Sequence, residues 1–341
     1  MPTDAIPPHL LDAAGLPRCG ALPEISTSAW EHPADRAARD AVRRVPGFDA
    51  LLRRVMGMVS ERPLRLVTLG SAVLVGPTQL PKLHAVYEDA LRVLDCPTRP
   101  ELYVARQPVV ESGAIGFDRP FIVLSAAEVA TSSIQELHVA VARELGHIMS
   151  EHVLYKTLLR LLLRGGALLL RLPLTGIAVL PIVAALLEWD RKSELSADRA
   201  ALLAIQDPEA VRRSLLRMAG GVVSTLDLDS FQDQARRYEE DGSALDSVIQ
   251  VLTLLNRRHP FPVQRMRELD RWIASGTYEQ IISGRYPLRG EEQPEAESAY
   301  WSEAVGEYTQ GARQVAKDAA GKVGTLMGGI FRRRLRKDGE E

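Results

Sequence analysis

Cysteine is nearly absent from this chain: Cys19 and Cys96 are the only two in 341 residues, and they lie far apart. No disulfide framework and no cysteine zinc cluster can be built from such a pair, and a reducing compartment fits. Charge of one sign is lacking too. The net charge is -2, so nucleic-acid binding is not expected, and any basic partner surface must be local. The N-terminus, MPTDAIPPHLLDAAG, lacks a basic region followed by an apolar core, so no signal peptide and a cytoplasmic chain are expected. A long hydrophobic run is missing as well. The uncharged stretch 172–187 spans 16 residues and contains Pro173 and Pro181, whereas a membrane-spanning helix needs about 20 apolar residues. It reads as buried core or as packing against a neighbouring helix, with membrane contact as the other reading.

What is present suits a folded chain with a sizeable core: 46% of residues are hydrophobic and 25% charged. Residues 1–45 read as a partly disordered lead-in, 46–290 as one domain and 291–341 as a tail. Apolar residues at helical spacing run from Pro33 to Glu61, and a further helix is expected from Leu80 to Leu94. Two extended runs, Leu102–Ala105 and Phe121–Leu124, are the strand candidates. Ser133-Ile-Gln-Glu136 is a capping box that opens a helix whose pattern continues to Gly165-Gly166. A helix over 182–205 ends before Asp207-Pro208, which starts another, and helical patterns return over 229–257 and 262–275.

Residues 143–147 read Arg-Glu-Leu-Gly-His, and Glu194 and Asp198 follow in EWDRKSELSADRAALL. A helix carrying H-E-x-x-H offers two histidines one turn apart to Zn²⁺, with the glutamate between them as general base. Arg143 stands where the first histidine belongs. At 100° per residue, Arg143, Glu144, His147 and Glu151 share one face. His138 points about 180° away from His147 and His152 about 140° away, so neither replaces the missing ligand. Glu194 and Asp198 are four apart and share a face of their own helix. Each fragment alone is weak, and the bland alternative is ordinary helix-surface polarity.

Their order and surroundings are specific. RELGHIMSEHVLYKTLLRLLL, EWDRKSELSADRAALLAIQDPEA and RRHPFPVQRMRELDRWIASGTYEQI resemble three successive signatures of the HtpX-like and CAAX-prenyl-endopeptidase family of zinc metallopeptidases, in its soluble actinobacterial-type branch. The likeness covers roughly residues 45 to 290. It implies an α+β, mostly α fold of the gluzincin type, with a small sheet packed on the motif helix and a cleft floored by that helix. It further implies zinc, with His147 and Glu194 as ligands and Glu144 as general base. Asp198 would orient a ligand histidine by accepting its other ring N–H. His259, heading H-P-x-x-x-x-R with Arg265, would sit near the cleft and stabilise the oxyanion; the bland reading of His259 is a turn residue. Phe121, Ile122, Val123 and Leu124 would form the cleft-edge strand on which a peptide pairs.

Two departures matter. Arg143 replaces a ligand, and Glu111-Ser112 stands where the family usually has Asn-Ala; Glu111 also reads as a plain loop residue. Arginine is permanently protonated and offers no lone pair. A fixed cation about 4 Å from a divalent ion costs about 8 kcal/mol at an effective dielectric near 20. The guanidinium is instead expected to bridge two of Glu144, Glu194 and Glu111, neutralising a metal-free site. The expected function is therefore a pseudo-peptidase that takes a peptide, an unfolded segment or a partner protein in its cleft. The alternative is an active zinc metalloendopeptidase hydrolysing peptide bonds with Glu144 as base. A terminal stripe (Trp301, Val305, Tyr308, Ala312, Val315, Ala319, Val323, Met327, Phe331) ends in IFRRRLRK. It reads as an amphipathic helix for an anionic membrane or a partner groove, or as a solvated tail rich in glycine.

Overall fold

The computed structural model describes residues 19–58, 61–106, 112–164, 179–222, 225–241 and 261–291. The apolar period over 33–61 resolves into two helices, α1 (Pro33–Arg43) and α2 (Phe48–Met58), and a third that was not expected follows, α3 (Glu61–Ser71). Pro33 at the first helical position and the His32 ring, whose Nδ1 accepts the Ala34 N–H, fix the start of α1. Residues 19–45 are therefore more than a lead-in. Ile25 and Trp30 are fully buried, and α1 packs along the central helix of the fold. The apolar side chains there outweigh the Pro and Ala content that suggested looseness.

Then follow α4 (Pro81–Val93), α5 (Ala126–Thr131), α6 (Ile134–Met149), α7 (His152–Arg164) and α8 (Val179–Ile205). Beyond them lie α9 (Pro208–Gly220), α10 (Leu228–Asp241), α11 (Pro262–Ala274) and α12 (Thr277–Ile282). The capping box forms as expected: Ser133 Oγ accepts the Glu136 N–H, and the Glu136 carboxylate accepts the Ser133 N–H at 2.7 Å. Asp207 caps α9 by accepting the N–H groups of Glu209 and Ala210. The expected helix over 133–165 is broken, however. Glu151 adopts φ +58°, the left-handed region, and the chain turns between α6 and α7. Trp30 Nε1 donates to Ser150 Oγ at 3.1 Å and anchors that turn.

The sheet has four short strands, β1 (Val73–Leu74), β2 (Leu102–Ala105), β3 (Gly113–Ile115) and β4 (Phe121–Ser125), in the order β1-β2-β4-β3. The β2–β4 pairing is parallel, with Leu102 opposite Ile122, and the two outer pairings are antiparallel. Alternation sends Leu102, Val104, Ile122 and Leu124 into the main core, whereas Tyr103, Phe121 and Val123 pack under Leu64 and Ala72. Phe121, Ile122, Val123 and Leu124 thus lie on an internal strand with both edges paired. The edge nearest the motif helix is β3, too short to show in the hydrophobic pattern.

Helix α8 is the spine. Its first half packs Ile182 and Leu186 against α2 and α7, and its second half packs Ala200, Ala201 and Leu202 against α4 and α6. In the described part of the uncharged stretch, from residue 179, Ile182, Leu186 and Leu187 are buried, whereas Pro181 and Ala184 are exposed. Among the described residues no helix is long and apolar enough to cross a membrane. His259, Glu111 and the C-terminal stripe lie outside the described residues.

Candidate active site

Two helices bring the motif residues together, and a glycine decides how closely. A Cβ on Gly146 would lie 2.6 Å from the Ala200 Cβ, so only glycine lets α6 cross α8 at this height. That crossing sets Arg143 and His147 of α6 against Glu194 and Asp198 of α8.

Arg143, expected to stand in place of a metal ligand, acts as a bridge. Its guanidinium hydrogen-bonds Glu194 Oε2, and its Nε lies 3.0 Å from Asp198 Oδ1. Burial opposes its charge, but Glu194 and Asp198 outweigh that and hold its pKa above the ordinary arginine value. The expected bridge therefore forms, with one partner corrected: it joins Glu194 to Asp198 and leaves Glu144 to another role. Glu144 Oε2 accepts the N–H of Ala114 on β3 at 2.6 Å, and Arg160 of α7 donates to the Ala114 carbonyl at 2.6 Å. In an antiparallel pair every second residue turns its backbone groups away from the partner strand. Here two side chains satisfy that outward pair.

Arg265 is corrected too. It is 1% exposed, and its Nε and terminal nitrogen reach the two oxygens of Asp198 at 2.7 and 2.5 Å. A guanidinium clamped on a buried carboxylate is not presented to an oxyanion. Asp198 in turn holds Arg143 and Arg265, where orientation of a ligand histidine was expected. His138 behaves as its helical angle required, facing Asp89 of α4 at 3.7 Å.

The break after α6 changes His152. Because α7 doubles back, the Nδ1 atoms of His152 and His147 are 3.0 Å apart. His152 Nε2 lies 2.9 Å from Asp35 Oδ2, and Asp35 also accepts from Ser196 Oγ at 2.6 Å. Burial raises the Asp35 pKa, but His152 overrides it, and the net value falls to about 2. One turn further, Lys156 donates to Asp190 Oδ1 and to Glu194 Oε1, both at 2.7 Å. Burial pulls this lysine down, yet Asp190 and Glu194 hold its pKa above the ordinary value. Burial, and then Lys156, push the His147 pKa well below the ordinary histidine value against the pull of Glu194.

Lys156, His152 and Arg160 were not anticipated from sequence. A partial signal was the run of His152, Lys156 and Arg160, each four apart on a largely apolar helix, but where these side chains point depends on the turn at Glu151.

These observations can be set beside known proteins. The pattern of peptidase family M48 matches residues 77–273. The chain belongs to peptidase family M48. A plastoglobule-localized metallopeptidase 48, chloroplastic, from Arabidopsis thaliana is 32% identical over 279 residues, covering 78% of this chain and 80% of the relative. No solved structure matches.

The zinc of such a metallopeptidase does not fit the residues present. Arg143 has no lone pair to give. Both oxygens of Glu194 are held by cations, and among the described residues no three His, Cys, Asp or Glu side chains gather in a metal-holding group. The cluster can neutralise its carboxylates and fix α6, α7, α8 and α11 to one another. No hydrolytic step follows from it.

Proposed function

We propose that this M48-family chain, which we place with the HtpX-like and CAAX-prenyl-endopeptidase group, binds an extended peptide or unfolded segment without hydrolysing it. The observation that carries this reading is the seat of Arg143 between Glu194 and Asp198, where a ligand histidine would otherwise stand. A guanidinium and two carboxylates in that arrangement supply charge balance without metal. The binding edge is β3. Gly113 has no side chain to obstruct an incoming strand, and a peptide would take over the backbone groups of Ala114 that Glu144 and Arg160 now satisfy.

The test is zinc content per chain after chelator treatment, together with casein digestion by wild type and by Glu144→Gln. Binding of casein with neither cleavage nor stoichiometric zinc is expected. Cleavage by wild type that Glu144→Gln abolishes would establish the active zinc endopeptidase instead. The chain is further proposed to work in the cytoplasm, its basic tail resting on an anionic membrane surface or a partner. Flotation of the full chain with anionic vesicles, lost on deleting 299–341, tests the lipid arm.

A further inference from the structure

Glu194 shares its two oxygens among three cations, Arg265 lying 3.5 Å from Oε2. Arg143 holds Oε2, and Lys156 holds Oε1 at 2.7 Å. His147 Nε2 faces Oε1, the oxygen of Lys156, at 3.3 Å. An ion joining the two remaining ligand-type side chains must therefore enter where the ammonium stands. Arg143 lies on the far side of the carboxylate. Removing it exposes the wrong oxygen.

We propose that Lys156, more than Arg143, closes this site to divalent metal, and that the two side chains together supply the two positive charges a zinc ion would otherwise bring. The proposal rests on the reading above, that the chain works without zinc. Lys156 is 5% exposed, and its second partner Asp190 is 3% exposed, so the ammonium is locked from both sides and cannot swing to solvent. The stem rises from α7, whose direction is set by the turn at Glu151. The sequence alone would have pointed the residue elsewhere. A buried lysine between two carboxylates has no part in binding at β3, and the mechanism proposed above leaves it otherwise unexplained.

The consequence is specific: Arg143→His alone does not restore a metal site. The experiment measures zinc per chain and zinc affinity for wild type, Arg143→His, Arg143→His with Lys156→Gln, and Arg143→His with Lys156→Met and Asp190→Asn. The last variant removes Asp190 as an acid together with Lys156, so that the only carboxylate freed of the ammonium is Glu194, the proposed ligand. Circular dichroism verifies folding of each. Arg143→His is expected to stay far below one zinc per chain. Either Lys156 variant is expected to approach one and to bind zinc at least about a hundredfold more tightly, as loss of a neighbouring cation requires. A zinc-induced rise in melting temperature, confined to the Lys156 variants, reads the same event without activity.

Near-stoichiometric zinc in Arg143→His overturns the proposal. So does a folded Lys156 variant that takes no more zinc than Arg143→His. If both Lys156 variants fail to fold, the Arg143→His titration still decides it. Stoichiometric zinc in wild type is a separate result, which sinks the proposed function itself.

Discussion

Glu144 and Ala114 are joined by a hydrogen bond of 2.6 Å, the carboxylate accepting the backbone N–H at the edge of the sheet. The side chain expected as general base thus imitates the backbone of an absent strand. Arg160 completes the imitation from α7. An incoming peptide has to displace both before it can pair with β3.

Glu144→Ala should therefore tighten the binding of extended chains by severalfold, because the edge amide is freed before the ligand arrives. Fluorescence anisotropy with labelled β-casein measures it. The same change removes a charge-assisted hydrogen bond and should cost about 1.5–3 kcal/mol in stability. Weaker casein binding by the folded variant would show that the edge of β3 is not the docking strand.

Arg143→Ala should cost about 3 kcal/mol in urea unfolding, because Glu194 and Asp198, 2% and 1% exposed, lose a buried counter-ion. Arg143→Lys should recover only part of that, since one ammonium cannot reach both carboxylates as the guanidinium does. A loss below about 0.5 kcal/mol for Arg143→Ala, within the range of an exposed pair, would mean that Lys156 and Arg265 hold the acids alone.

Gly146→Ala tests the crossing of α6 and α8. Alanine is the better helix former by about 1 kcal/mol, yet its Cβ would meet the Ala200 Cβ at 2.6 Å, and overpacking costs about 1–3 kcal/mol. The net should be destabilising. Adding Ala200→Gly should recover stability in the Gly146→Ala background while costing about 1 kcal/mol alone. Additive effects across the four proteins would place the clash elsewhere.

Much of this architecture was legible in the chain. The capping box at Ser133, the Asp207-Pro208 start of α9 and the apolar runs of β2 and β4 each follow from local chemistry, and each forms. What escaped has physical causes. Strands of two and three residues, such as β1 and β3, leave no period to detect. Helix α3 exposes Leu66, Val67 and Leu69, so it shows no buried stripe. The break at Glu151 carries neither glycine nor proline, and a left-handed glutamate is set by its packing more than by its own preference. That single unread turn misdirected His152 of α7. It concealed the cation on Glu194.

The last prediction concerns pH. His32 Nδ1 accepts the Ala34 N–H at 3.1 Å, and its Nε2 lies 3.2 Å from Glu268 Oε2. A neutral ring satisfies both contacts, whereas a proton on Nδ1 breaks the cap of α1. Burial, and then Arg199, lower its pKa from 6.5 to about 4 against the pull of Glu268. As pH falls through 6.5 the unfolded chain takes up a proton that the folded chain refuses until about 4. More protons bind the unfolded state in that window, so stability is full above 6.5 and is lost progressively toward 4. Between pH 7 and pH 5 the loss from this residue is about 2 kcal/mol, at about 1.4 kcal/mol per pKa unit. His147 acts in the same direction, so part of the slope persists without His32. His32→Asn keeps a capping acceptor and cannot titrate. Urea unfolding at the two pH values should show the variant losing about 2 kcal/mol less than wild type. Equal losses in both proteins would mean that the ring takes up its proton over the same pH range folded as unfolded and that the cap of α1 does not require it neutral.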